Sequence, residues 1–111
     1  MKENKNFLNL YKKGRYIASD YTVIYVFPNG RPFNRLGITA GKKIGNAVCR
    51  NRAKRLIRLA YRLYEVQLPI GMDIVIVARK GILGIKSDVY CDYFRKCAVK
   101  EIDRNIRKLK K

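Results

Sequence analysis

Eight lysines and arginines lie between Lys42 and Arg62, in the stretch KKIGNAVCRNRAKRLIRLAYR, and no acidic residue stands among them. Arginine outnumbers lysine there, and a guanidinium is a planar fork of donors that grips phosphate bidentately and stacks on bases. Like charges three or four residues apart on a helix repel by ~0.2–0.5 kcal/mol per pair. A polyanion lying along the segment returns that energy. From Tyr21 to Tyr64 there are ten basic residues and no acid, so no local ion pair can neutralise them. An ordinary solvated helix face would intersperse glutamate. The chemistry these residues are equipped for is recognition of phosphate.

Catalysis by the chain's own side chains is poorly supplied. There is no histidine, which removes Ser–His and Cys–His nucleophiles. The eight acids are spread thinly, and only Asp88, Asp92 and Asp103 could share a helix face, where carboxylates are usually solvated. A nuclease of this composition would need clustered carboxylates around metal ions. Cys49, Cys91 and Cys97 are odd in number, scattered and without a C-x-x-C pair, as expected of reduced thiols rather than a zinc site. With 26 basic and 8 acidic residues the formal charge is +18, which attracts polyanions at modest salt. No apolar run reaches the ~18 residues that span a bilayer, so a cytoplasmic protein without membrane contact is expected.

The elements that must position the cations follow from periodicity. At 111 residues the chain is read as one domain over 1–111. Phe7, Leu10 and Tyr11 at i, i+3, i+4 predict a short helix over Asn6–Lys13, closed by Gly14. The run YTVIYVF, Tyr21–Phe27, predicts a strand that ends at Pro28-Asn29-Gly30. Alternation puts Tyr21, Val23, Tyr25 and Phe27 on one face, and Thr22, Ile24 and Val26 on the other. Its expected partner is the strand Arg35–Ala40, and the pattern leaves open another short strand near Tyr16–Ala18. A helix over about Asn46–Tyr64 gathers Ala53, Leu56, Ile57, Ala60, Leu63 and Tyr64 on one arc. Lys54, Arg55, Arg58 and Arg62 fall on the opposite arc, with Arg50 and Arg52 at the borders. MDIVIVAR then reads as an interior strand. Ser87 to Lys111 reads as a helix with Ser87 as its N-cap and Val89, Tyr93, Phe94, Cys97, Val99, Ile102, Ile106 and Leu109 in its apolar stripe. The order predicts an α+β sandwich with one mainly antiparallel sheet.

A DNA reader usually carries a helix-turn-helix or zipper pattern, and neither is present. A cationic helix near exposed aromatics suits folded RNA, whose unpaired bases stack on Phe and Tyr.

The motif Lys42-Lys43-x-Gly45-Asn46-Ala47-Val48-x-Arg50-Asn51-Arg52-x-Lys54-Arg55-x-x-Arg58 resembles the signature of the protein subunit of bacterial ribonuclease P. FLNLYKKGR and GMDIVIVARKG resemble that family's first helix and late central strand, so the resemblance covers essentially the whole chain. Gly41 departs from it, standing where the family often has Ser. The resemblance implies an αβββαβα order with a left-handed βαβ crossover. It also implies a ribonucleoprotein that cuts the 5′ leader from precursor tRNA, with a catalytic RNA and its Mg2+ ions doing the chemistry and no cofactor on the protein. The implied contacts to the RNA subunit are Lys42, Lys43, Asn46, Arg50, Asn51, Arg52, Lys54, Arg55, Arg58 and Arg62. For Asn51 a bond to neighbouring backbone is the alternative. The implied leader contacts are Phe7, Tyr11, Tyr25 and Thr39, although Phe7 and Tyr11 also fit a purely structural stripe. A general RNA-binding protein with no part in processing remains the competing function.

Overall fold

In the computed structural model, which describes residues 15–110, the seven-residue strand Met72–Ala78 (β4) is central. The other strands are β1 (Arg15–Ala18), β2 (Thr22–Pro28) and β3 (Arg35–Thr39). The spatial order is β1-β2-β4-β3, antiparallel except for the parallel pair β3–β4. β4 is buried along almost its whole length, as its nearly continuous apolar run predicts.

One strand pairing differs from expectation. β3 does not pair with β2; it lies on the far side of β4. The physical reason is visible at the base of the sheet. β2 and β4 match residue for residue from Thr22↔Ala78 to Pro28↔Met72. β3 is instead clamped to β4. Asn34 accepts from the backbone of Gly71 and Met72 at 2.8 and 3.0 Å and donates to the Pro69 carbonyl at 2.9 Å. Next to it, Arg35 donates two hydrogen bonds to its register partner Asp73, at 2.7 and 2.6 Å. Burial pushes the Asp73 carboxyl upward. Hydrogen bonds from Arg35 and Asn29, with the Arg35 charge, outweigh that and hold it below the usual range.

Helix α1 (Ala47–Tyr64) connects β3 to β4 and covers that half of the sheet. The C-terminal helix runs as α2 (Ser87–Tyr93), a π-helical segment (Phe94–Ala98) and α3 (Val99–Lys110). α3 packs on β1 and β2. Thr22, Ile24 and Val26 of β2 and Ile74 and Ile76 of β4 face these helices and are buried. They meet Ile57 and Ala60 of α1, and Tyr90, Phe94, Ile102 and Ile106 of the C-terminal helix. Several apolar assignments change in three dimensions. Leu63 is 54% exposed, and Tyr61 takes the buried place beside Ala60. Val89 and Cys97 are exposed as well. The buried residues Tyr90, Phe94, Ala98, Ile102 and Ile106 recur every four residues, a spacing that drifts around a 3.6-residue helix. The wider π turn takes up part of that drift. Ser87 is the first helical residue rather than the cap; Lys86 holds the cap position without a side-chain hydrogen bond. The predicted helix Asn6–Lys13 lies outside the described residues.

Candidate nucleic-acid interface

The cationic helix is entered through a tight bend. A 3-10 turn, Lys42–Ile44, buries Ile44 and leaves Lys42 and Lys43 exposed. Gly45 follows with φ 137° and ψ −153°, backbone that L side chains rarely adopt. Asn46 then caps α1, its Oδ1 accepting from the Cys49 N–H at 3.0 Å. No acid occupies the first turn, so the positive end of the helix dipole adds to the side-chain charge.

Along α1, Asn51, Arg52, Arg55, Arg58 and Arg62 are exposed, whereas Arg50 and Lys54 are half-buried. The Nε of Arg50 is buried without a hydrogen-bond partner among the described residues. None of the cations from Lys42 to Arg62 joins an ion pair among the described residues. The C-terminal helix treats the same residue types differently. There Asp92 pairs with Arg95 and Lys96, Glu101 with Arg104, and Asp103 with Arg107. Asp92 is held below the usual carboxylate range by hydrogen bonds from Lys96 and Arg95. Two acids of the nuclease alternative are therefore committed to surface ion pairs. Among the described residues no three His, Cys, Asp or Glu side chains could together hold a metal ion.

A second surface is the sheet face turned away from the helices. Tyr25 and Thr39 both lie on it, on strands flanking β4, and Val75 and Val77 lie between them. Tyr25 is half-buried and Thr39 exposed. Phe7 and Tyr11, the other aromatic candidates, lie outside the described residues. The sequence reading missed Tyr16, which sits opposite Tyr25 in the β1–β2 register. Its ring centroid is 6.0 Å from that of Tyr25, and the residue is 64% exposed. The clue was the alternation in RYIA, which pairs Tyr16 with the Tyr25 face only once β1 is known to be antiparallel to β2. Arg79 and Lys80 were missed too. They follow β4 and, with Lys42 and Lys43, line a pocket of about 710 Å3. The close turn there needs Gly81, since a Cβ would collide with the Asp20 carbonyl. The run ARKG carried the charge, but only the parallel β3–β4 pairing brings it beside the lysine pair.

A one-sheet α+β sandwich with an unneutralised cationic helix and an aromatic sheet face is the architecture of a polyanion-binding protein. Comparison with known proteins makes that class specific. The chain belongs to the ribonuclease P protein family, whose sequence pattern, described as Ribonuclease P, it matches over residues 1–102. It is 49% identical to the "Ribonuclease P protein component" of Lachnoclostridium phytofermentans over 84 residues, 76% of this chain and 72% of that protein. It is 37% identical over 112 residues to the protein of the same description from Clostridioides difficile, spanning 100% of this chain and 88% of the relative. The solved Staphylococcus aureus RNase P protein superposes with a TM-score of 0.78 at 31% identity, covering 96% of this chain and 95% of that one.

Proposed function

We propose that this chain is the protein subunit of ribonuclease P, binding the catalytic RNA through α1 and the 5′ leader of precursor tRNA across the outer sheet face. The carrying observation is that, among the described residues, none of the cations of α1 has an ion-pair partner, whereas Arg95, Lys96, Arg104 and Arg107 of the C-terminal helix do. Arg52, Arg55, Arg58 and Arg62, with Lys42 and Lys43, offset phosphate repulsion in the RNA and favour its compact form. Lys54, Arg50, Asn46 and Asn51 border that surface. Tyr25 stacks on unpaired leader bases with little sequence preference, which suits an enzyme that accepts many precursors. Phe7 and Tyr11 complete this platform in the family-based reading, and Thr39 supplies a hydroxyl beside it. Bond cleavage would be supplied by the RNA with its bound Mg2+; the protein contributes binding and orientation in the cytoplasm.

The test adds this chain to protein-free ribonuclease P RNA at a magnesium concentration too low for the RNA alone. Cleavage of precursor tRNA at the mature 5′ end is the expected result. Tight binding to many RNAs without rescue of cleavage would instead make it a general RNA-binding protein.

A further inference from the structure

The solvent side of α1 is not uniformly charged. Val48 is 72% exposed and Leu59 44%. At ~100° per residue Val48, Arg52, Arg55 and Leu59 fall within an arc of about 60°, opposite the buried Ile57. These side chains and Ile85 line one open groove of about 470 Å3 between α1 and the start of α2, with Ser87 at its edge. Ile85 packs partly against the core, so the floor of the groove is anchored. Ser87 is exposed, and its hydroxyl has no hydrogen-bond partner among the described residues.

We propose that this groove receives one unstacked nucleobase of the RNA subunit, with Arg52 and Arg55 holding the phosphates on either side of it. A helix that only tracked a phosphate backbone would have no use for valine and leucine in the middle of its cationic arc. Those positions bury apolar surface once a flat ring covers them, which is favourable. The volume lies within the ~300–1,000 Å3 typical of small-molecule sites. Charge selects the occupant. Both titratable side chains lining the groove are arginines, so an apolar partner must bring its own anions. A nucleotide brings an apolar face and phosphates in one unit, and its polar edge meets the Ser87 hydroxyl. This assignment rests on α1 being the face that meets the RNA subunit.

The test is the double variant Val48→Ser/Leu59→Ser, two exposed positions whose replacement leaves the core intact. Its affinity for ribonuclease P RNA is measured across a series of salt concentrations, and the RNA is probed by base methylation with and without protein. The expected loss is roughly 10- to 150-fold at every salt concentration, with an unchanged salt slope, as for the lost burial of one Val or Leu side chain. One unpaired base protected by the unaltered protein becomes reactive with the variant. Leu59→Met keeps the apolar surface and retains affinity. Arg52→Ala/Arg55→Ala, by contrast, makes the slope shallower by ~0.7–0.9 per charge removed. Unchanged RNA affinity in the serine variant, or no base whose protection depends on it, overturns the groove assignment and leaves the groove to a protein partner. If the arginine variant also binds with unchanged affinity and slope, the RNA-binding role of α1 itself fails.

Discussion

Arg58→Ala/Arg62→Ala removes two cations that lie on α1 outside the Val48–Leu59 groove. Six cations on this surface, Lys42, Lys43, Arg52, Arg55, Arg58 and Arg62, are both exposed and outside any ion pair among the described residues. If each neutralises one phosphate, log Kobs falls with log salt at a slope of about −4 to −5, at ~0.7–0.9 per phosphate. A fourfold rise in salt then weakens the unaltered protein by about 300- to 2,000-fold. The double variant loses about 1.4–1.8 of that slope and becomes less salt-sensitive as well as weaker. Filter binding or fluorescence titration with the RNA subunit over a salt series measures both quantities. Neither arginine touches the core, so thermal unfolding should be nearly unchanged. A variant that bound more weakly with an unaltered slope would refute the reasoning, because its arginines would not have been neutralising phosphate.

Tyr25→Ala, alone or with Phe7→Ala, reduces the preference for precursor over mature tRNA by about 5- to 150-fold per stacked base lost, read as the ratio of the two dissociation constants; equal weakening toward both tRNAs refutes it. Gly45→Ala places a Cβ on backbone at φ 137° and near the Cys49 side chain, costing roughly 1–3 kcal/mol. At roughly 4–8 °C per kcal/mol for a domain near this size, calorimetry should record a clear fall in Tm, and an unchanged Tm would disprove the strain. Asp73, depressed in the folded state by Arg35 and Asn29, stabilises the fold above its unfolded pKa of ~3.9, and that contribution disappears as pH falls through the lower folded value. Arg35→Gln should therefore lower the urea midpoint near neutrality, with the gap to the unaltered protein narrowing below about pH 4. A gap independent of pH would rule the ion pair out as its source.

Much was legible locally. The α+β class, the strand at β2 and the interior character of β4 all arise from periodicity, which acts over a few positions. The alternating faces of β2 were legible for the same reason: Thr22, Ile24 and Val26 are buried as period two requires. The net charge likewise favoured a polyanionic partner, and the absence of histidine argued against a side-chain nucleophile. What the chain order alone left undecided depended on contacts between distant segments. β3 joined β4 instead of its sequence neighbour because Asn34 and Arg35 bind groups around position 71–73. That parallel pairing then brought Arg79 and Lys80 beside Lys42 and Lys43, and the β1 register put Tyr16 opposite Tyr25. Helical spacing cannot say whether an apolar side chain will find a neighbour, so Leu63 faced solvent and Tyr61 did not. Composition determined that the protein seeks a polyanion; the packing of α1 against β3, β4 and α2 decided which side chains remain outside to meet it.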